Sequence, residues 1–122
     1  MVTDVSVLLH LCSPPEWAQA RRAGEHRPDS LRDVGFVHLS TPQQVHLPAN
    51  RLYAGRTDVI LLHIDTSRVE APLRWEPGDA TDPSRMLFPH LYGPVPTSAV
   101  IAVTEYRPGE DGRFAPVQLS DT

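Results

Sequence analysis

The sequence contains a single cysteine, Cys12, and no lysine among its eleven basic residues. One cysteine excludes an internal disulfide and a cluster of thiolate metal ligands. The absence of lysine excludes Schiff-base chemistry and a lysine nucleophile. No apolar run approaches the roughly 20 residues that span a bilayer, and residues 1–4 lack the basic start of a secretory signal. We therefore expect a cytoplasmic protein that does not enter membranes.

The charge of the chain excludes extended contact with nucleic acid. The net charge is −4, and the arginines are scattered rather than arranged in a stripe, whereas binding along a phosphate backbone requires a basic surface. A small anionic ligand needs only one or two arginines. The sequence also lacks a glycine-rich phosphate loop and a Gly-x-Ser-x-Gly elbow. At 122 residues, the chain is expected to fold as one domain over residues 1–122.

Local patterns predict an α+β fold. Alternating or apolar β-rich segments predict strands at residues 5–10, 36–40, 59–65, 73–76 and 98–106, with a further short strand near 113–118. The segment 59–65 is apolar on both faces, which favours a central strand covered on both sides. Helices are expected between the early strands. The order of elements favours small split sheets, mixed or antiparallel, with two or three short helices.

Two helix starts are predicted from capping patterns. Ser13 is followed by two prolines and Glu16, which indicates a capping box, and Gly24 is a suitable end for that helix. Thr41 and Gln44 repeat the pattern, so a second helix is expected to begin directly after residue 40 and to be interrupted by Pro48. The free N–H groups at the N-terminus of this helix would provide positive potential beside the preceding strand. Such a position favours the binding of an anion.

Two segments carry polar side chains that are able to handle protons. In an extended strand at 36–40, His38 and Ser40 share one face. In segment 88–94, two prolines and a glycine are expected to fix a non-helical ribbon that displays His90 and Tyr92 on one side, outside any regular element. We expect these two segments to face one another across a pocket.

Glu76 is the best candidate for a catalytic carboxylate, because the neighbouring Trp75 could desolvate it. The other histidines receive structural interpretations: His63 lies on an apolar strand face, His26 lies in a polar loop, and His46 lies near a helix end. Three histidines could form an open zinc site in space. The sequence has no His-x-His or His-Glu-x-x-His spacing, however, and no metal is expected.

Taken together, these residues resemble the bacterial family known as domain of unknown function 952. The matching positions run through nearly the whole chain: His10 with Trp17, Ser30 with Leu31, residues 35–40, Gln44, Arg51, Asp65, Trp75 with Glu76, residues 88–94, and Ala99 with Val100. The resemblance implies a compact α+β domain related to the ADP-ribosyltransferase fold, whose members bind NAD in a cleft between two small sheets.

The resemblance also implies roles for individual residues. His10 is similar to the first-strand member of the transferase catalytic set, and residues 38–40 are similar to the second-strand member and to the His-Leu-Ser segment of RNA 2′-phosphotransferases. No residue matches the late glutamate of that set. His90 and Tyr92 have no counterpart in that set and indicate a different chemistry. The residue patterns and the resemblance together give His38, Glu76, His90 and Tyr92 as candidate catalytic residues. They give His10, Ser40, Thr41, Arg51 and Trp75 as candidate ligand-binding residues.

Three functions are compatible with these residues. The first is an enzyme that binds NAD or a related nucleotide, with NAD as a candidate substrate. The second is a non-catalytic module that binds a small anionic metabolite, which the missing late glutamate favours. The third is a small enzyme that uses His90 and Tyr92 as acid and base on an unrelated substrate. All three expect a small-molecule partner.

Overall fold

The computed structural model describes residues 7–78 and 84–118 of the chain. In chain order, these residues form β1 (Val7–Cys12), α1 (Pro14–Ala23), β2 (Glu25–His26), α2 (Asp29–Asp33), β3 (Val37–His38), α3 (His46–Leu52), β4 (Ile60–Asp65), β5 (Leu73–Pro77), β6 (Leu87–Leu91), β7 (Val95–Pro96) and β8 (Val100–Glu105). The predicted α+β class with short helices is confirmed. None of the helices in the described ranges has the length and apolar character needed to cross a bilayer.

The strands of the described residues form three small antiparallel sheets. The first sheet has the order β1-β4-β8, the second has the order β3-β6-β5, and β2 pairs with β7. Reciprocal backbone hydrogen bonds of 2.8 Å between Leu9 and Ser40 join the first sheet to the second. The strands that carry residues 10 and 38 are therefore held next to each other by backbone contacts.

Helix α1 forms where the capping pattern predicts it. The Ser13 side chain accepts a hydrogen bond from the Glu16 amide, and the Glu16 carboxylate accepts one from the Ser13 amide at 2.8 Å. Gly24 ends the helix with φ of 86°, a left-handed conformation that residues with a side chain adopt at a cost. Local chemistry is sufficient to specify both ends of this helix.

Strand β4 is the centre of the first sheet, as its apolar run predicts. Ile60, Leu62 and Ile64 pack into one buried cluster, while Leu61 packs into a second cluster on the opposite face with Val59. Alternate side chains of the strand are thus buried on opposite faces of the sheet. The first predicted strand is displaced: β1 runs from residue 7 to residue 12, and residues 5 and 6 lie outside the described residues.

The predicted start of the second helix is wrong. The Thr41 amide does donate to the Gln44 side chain at 3.1 Å, but the same side chain also donates to the Leu87 carbonyl, and α3 begins only at His46. Pro48 does not interrupt the helix. It is the third residue of α3, in the first turn, where a missing N–H costs no intrahelical bond.

Segment 88–94 is not a ribbon that displays His90 outside a regular element. Residues 87–91 form β6, the middle strand of the second sheet, and His90 is only 3% exposed. The Pro89 carbonyl accepts from the Leu39 amide at 3.0 Å. Because N–H and C=O of one strand residue point the same way, the missing donor of Pro89 affects pairing to β3 only, and pairing to β5 continues.

The strand expected near 113–118 does not form. Phe114 instead packs against Tyr106, with ring centroids 4.7 Å apart. The Asn50 side chain donates to the Phe114 carbonyl at 3.1 Å and accepts from its amide at 2.7 Å. One side-chain amide therefore provides both hydrogen bonds that a neighbouring strand would provide.

Two isoleucines on paired strands allow a direct test of this core. Ile64→Ala on β4 removes a fully buried side chain, whereas Ile101→Ala on β8 shortens one that is 49% exposed. We expect the Ile64 variant to lower the free energy of unfolding by about 2–5 kcal/mol, and the Ile101 variant to lower it by less than about 1 kcal/mol. Urea unfolding measures both values. Equal losses would contradict the placement of the core.

Candidate functional site

The two histidines of the predicted site lie side by side on one sheet. His38 on β3 is directly opposite His90 on β6 in the strand register. Their ring centroids are 5.5 Å apart and the rings are nearly perpendicular, at 86°. Phe36 stacks on the His90 ring at 3.9 Å, with an angle of 16° between the ring planes. The two polar segments are therefore neighbours in a sheet, and the expectation that they face one another across a pocket is wrong.

A carboxylate orients His90 from the next strand. Oε1 of Glu76 on β5 lies 2.8 Å from His90 Nδ1 and accepts a hydrogen bond from the Tyr92 hydroxyl at 2.6 Å. An ionised carboxylate only accepts hydrogen bonds, so this network assigns the proton to Nδ1. The bond from Tyr92, followed by that from His90, lowers the pKa of Glu76. Glu76 therefore stays ionised at neutral pH.

The second ring nitrogen of His90 has no hydrogen-bond partner among residues 7–78 and 84–118. Nε2 is buried and makes no hydrogen bond to any group in the described part of the chain. An unsatisfied polar atom in a protein interior is uncommon and costs stability, on the order of 1–3 kcal/mol. In the imidazole tautomer that carries its proton on Nδ1, the free lone pair lies at Nε2. A buried acceptor with an oriented ring is an arrangement typical of a general base.

His10 is tied to two neighbours. Its Nδ1 donates to the His38 carbonyl at 2.8 Å, which leaves Nε2 to accept from His26 Nε2 at 3.1 Å. Burial, followed by the neighbouring His26, lowers the pKa of His10 to about 4. His26 was expected in a polar loop, but it lies on β2 and is buried. No local signal indicated this, because β2 pairs with a strand some 70 residues later.

These elements enclose a cleft of about 190 Å³. Its polar wall comprises His10, Glu16, Ser30, His38, Ser40, Arg51 and His90. Its apolar wall includes Leu11, Leu39, Pro48, Leu52, Tyr53, Gly78 and Phe88. Burial, together with His90 and Arg51, lowers the pKa of His38, so this cleft histidine is neutral at pH 7. The cleft has the mixed lining that is common in small-molecule sites.

The structure brings together most of the candidate residues. His10, His38, Ser40, Arg51 and His90 line the cleft. Glu76 and Tyr92 do not line it, but Glu76 accepts a hydrogen bond from His90 and Tyr92 donates one to Glu76.

Thr41 and Trp75 do not line the cleft. Trp75 pairs with Pro89 while Glu76 pairs with Phe88, so strand alternation places Trp75 on the opposite face from Glu76, where it is 49% exposed. It does not desolvate Glu76 as expected. The anion site at a helix N-terminus beside Thr41 also does not form, since α3 begins five residues further on.

Arg74 is a candidate that sequence reasoning missed. It lies opposite His90 in the register, and its guanidinium is 5.2 Å from the centroid of the Tyr92 ring, within the range of a cation–π contact. The available signal was its position two residues before Glu76 on a predicted strand, which places both side chains on one face. Arg74 adds positive charge beside the Glu76 carboxylate and contributes to its lowered pKa.

Within the described residues, the structure offers the site neither a reactive thiol nor a cluster of metal-ligating side chains. Cys12 is buried, and burial raises the pKa of its thiol to about 12, which suppresses the reactive thiolate. Across residues 7–78 and 84–118, no group of three or more histidine, cysteine, aspartate or glutamate side chains is arranged to hold a metal ion.

Comparisons with known proteins give a family and a fold. The family model described as "Protein of unknown function (DUF952)" matches residues 11–103. The crystal structure of protein CC0527 from Caulobacter crescentus is similar, with 27% identity and a TM-score of 0.75 over 89% of this chain and 93% of that one. The solution structure of the same protein gives 25% identity and a TM-score of 0.70 over 88% and 90%. No match was found among curated proteins.

The burial of neutral His10 predicts acid sensitivity. Its pKa is about 4 in the folded chain and 6.5 as a free side chain. Between these values the unfolded chain binds a proton that the folded chain does not, so the free energy of unfolding decreases as pH falls from 6.5 to 4. The contribution of His10 to the free energy of unfolding is about 3.5 kcal/mol at most, since one pKa unit corresponds to about 1.4 kcal/mol. Urea unfolding across this range should show the loss, and His10→Gln should reduce it.

The His10 ring can also be titrated directly by NMR. We expect a midpoint near pH 4. A midpoint near the ordinary value for histidine would contradict burial of His10, together with its neighbour His26, as the cause of acid sensitivity. An unchanged pH dependence of stability in His10→Gln would contradict it as well.

Proposed function

Because the chain belongs to the family described as "Protein of unknown function (DUF952)", its activity has to be inferred from its cleft, and we propose that it is a small enzyme with a His90–Glu76 general base. The ligand class we propose is NAD or a related nucleotide. This choice follows from the resemblance of His10 and residues 38–40 to the ADP-ribosyltransferase pattern, and the relation of the fold to that superfamily is part of the proposal.

The observation that carries the proposal is the hydrogen bond between Glu76 and His90. A carboxylate that accepts from Nδ1 fixes the tautomer and leaves the lone pair on Nε2. The same carboxylate also stabilises the imidazolium that forms when Nε2 takes a proton. The Tyr92 hydroxyl on the same oxygen limits the rotation of the Glu76 side chain. A structural role alone does not explain why Nε2 has no partner in the described part of the chain.

The cleft provides groups suited to a nucleotide. Arg51 lines it and lies close enough to His38 to lower the pKa of that ring, so an anionic phosphate would gain a favourable charge there. The buried Ser40 and the neutral His38 offer hydrogen bonds to ribose hydroxyl groups. The N-terminus of α3 has no part in the proposed phosphate contact.

The reaction that fits this arrangement is transfer or hydrolysis at a ribose. His90 Nε2 removes a proton from a water molecule or an acceptor hydroxyl group, whose oxygen forms a bond to C1′ of the ribose. The bond from C1′ to nicotinamide breaks, and its electron pair leaves with neutral nicotinamide. Nε2 is covered in this structure, so side chains around it have to move before the reacting group can reach it.

Ligand binding is the first prediction of this proposal. Calorimetric titration with NAD and ADP-ribose at millimolar concentration should give saturable heat. Arg51→Ala and His38→Ala should each weaken binding by about fivefold or more, as expected for loss of a charge-assisted or neutral hydrogen bond. Arg107→Ala is the matched control, because Arg107 pairs with Glu105 and does not line the cleft. Absence of heat with both ligands would refute the nucleotide assignment.

Turnover is the second prediction. Chromatography of NAD incubated with the protein should detect nicotinamide, and His90→Ala should reduce the rate on the order of a hundredfold or more. Glu76→Gln should reduce it while preserving the shape of the side chain. Glu105→Gln is the control, since Glu105 is exposed on β8 and pairs with Arg107. Nucleotide binding without turnover would instead support a non-catalytic metabolite-binding module.

A further inference from the structure

One wall of the cleft depends on a glycine that packs against an aromatic ring. A β-carbon added at Gly78 would lie 2.9 Å from Cε1 of Phe88 and closer still to Cδ1. The φ of Gly78 is not positive, so the backbone conformation itself permits a side chain. The ring of Phe88 therefore occupies the space of a side chain at residue 78. Both residues line the cleft.

Phe88 lies on the same side of β6 as His90. The two residues are separated by one strand position, and Phe88 is opposite Glu76 in the register just as His90 is opposite Arg74. Side chains two apart along a strand share one face. The aromatic ring thus lies next to the proposed catalytic pair on the cleft side of the second sheet.

Helix α3 and the residue that follows it provide a second apolar wall. Pro48, Leu52 and Tyr53 line the same cleft as Phe88. Leu52 is 61% exposed, although a large apolar side chain next to other apolar groups would gain from burial. Apolar walls from two different elements, close to a polar wall of histidines and serines, match the composition of sites that hold a flat ring and orient it by a few polar contacts.

We propose that Phe88, with Pro48 and Leu52 of α3 and the following residue Tyr53, binds a planar aromatic ring of the ligand, and that Gly78 is the positioning residue that keeps the Phe88 ring in place. The proposal deepens the function proposed above, because it assigns a place in the cleft to one part of a nucleotide. Contact between a phenyl ring and a flat heterocycle is favourable and tolerant of the identity of the heterocycle.

Neutral fragments separate ring recognition from phosphate recognition. Benzamide and cyclohexanecarboxamide have the same amide group and similar size, but only benzamide has a flat aromatic ring. Ligand-observed NMR titration should show benzamide binding to the native chain at least about fivefold more tightly than cyclohexanecarboxamide. Phe88→Leu, which keeps an apolar side chain on β6, should reduce benzamide affinity to that of the saturated amide.

The two glycines next to β6 provide matched variants. Gly78→Ala forces the Phe88 ring to move, and we expect it to weaken benzamide binding about fivefold or more. Gly93→Ala creates a comparable clash, with the Cβ atom of Ala71 at 2.5 Å, but neither residue lines the cleft. It should therefore retain benzamide binding even if its melting temperature falls. In Gly78→Ala combined with Phe88→Leu, benzamide should bind no more weakly than in Phe88→Leu alone.

The outcomes distinguish this inference from the proposed function. Benzamide binding that Phe88→Leu and Gly78→Ala leave unchanged, or an absence of benzamide binding by the folded native chain, would overturn the ring site. If NAD binds and Phe88→Leu does not weaken it, the nucleotide assignment stands and the ring site fails. If benzamide binds through Phe88 but NAD does not bind, the ring site stands and the nucleotide assignment fails.

Discussion

The hydrogen bond from His90 Nδ1 to Glu76 is the interaction on which the site depends. An imidazole that is almost fully buried in the middle strand of a sheet needs a fixed partner for its N–H, because an unpaired donor there costs free energy. Glu76 meets this need from the neighbouring strand while its own carboxylate remains partly exposed. The ring is thereby fixed in one tautomer and one orientation. This constraint keeps the lone pair of the ring on Nε2 and in a fixed direction, which is what a general base requires.

The cleft in turn depends on how two small sheets are joined. Reciprocal backbone bonds between Leu9 and Ser40 hold the first strand of one sheet against the end of β3 in the other. His10 crosses the same junction through its bond to the His38 carbonyl. The histidines of the site are therefore placed by backbone pairing, which tolerates little displacement. Helix α3 closes the cleft with side chains, and its contacts are mostly apolar.

Features specified by neighbouring residues could be predicted, and features specified across the chain could not. The capping box of α1 and the apolar run of β4 need only local chemistry, and both were predicted. The start of α3 was missed because the Gln44 side chain also bonds the Leu87 carbonyl, a contact over 43 positions. The burial of His26 likewise depends on a distant strand. For the site, strand alternation was enough to predict that His38 and Ser40 share one face. The side of the sheet on which Trp75 lies follows from the strand register, which the sequence does not reveal.

The position of β4 between β1 and β8 has a consequence for synthesis of the chain. Its first neighbour precedes it in sequence, but its second comes from residues 100–105, about 40 positions later. Once β4 has emerged from the ribosome, its edge toward β8 is therefore unpaired until β8 also emerges. Such long-range pairing slows folding and leaves the growing polypeptide open to self-association. The need for chaperone binding should thus be greatest between emergence of the fourth strand and emergence of the eighth.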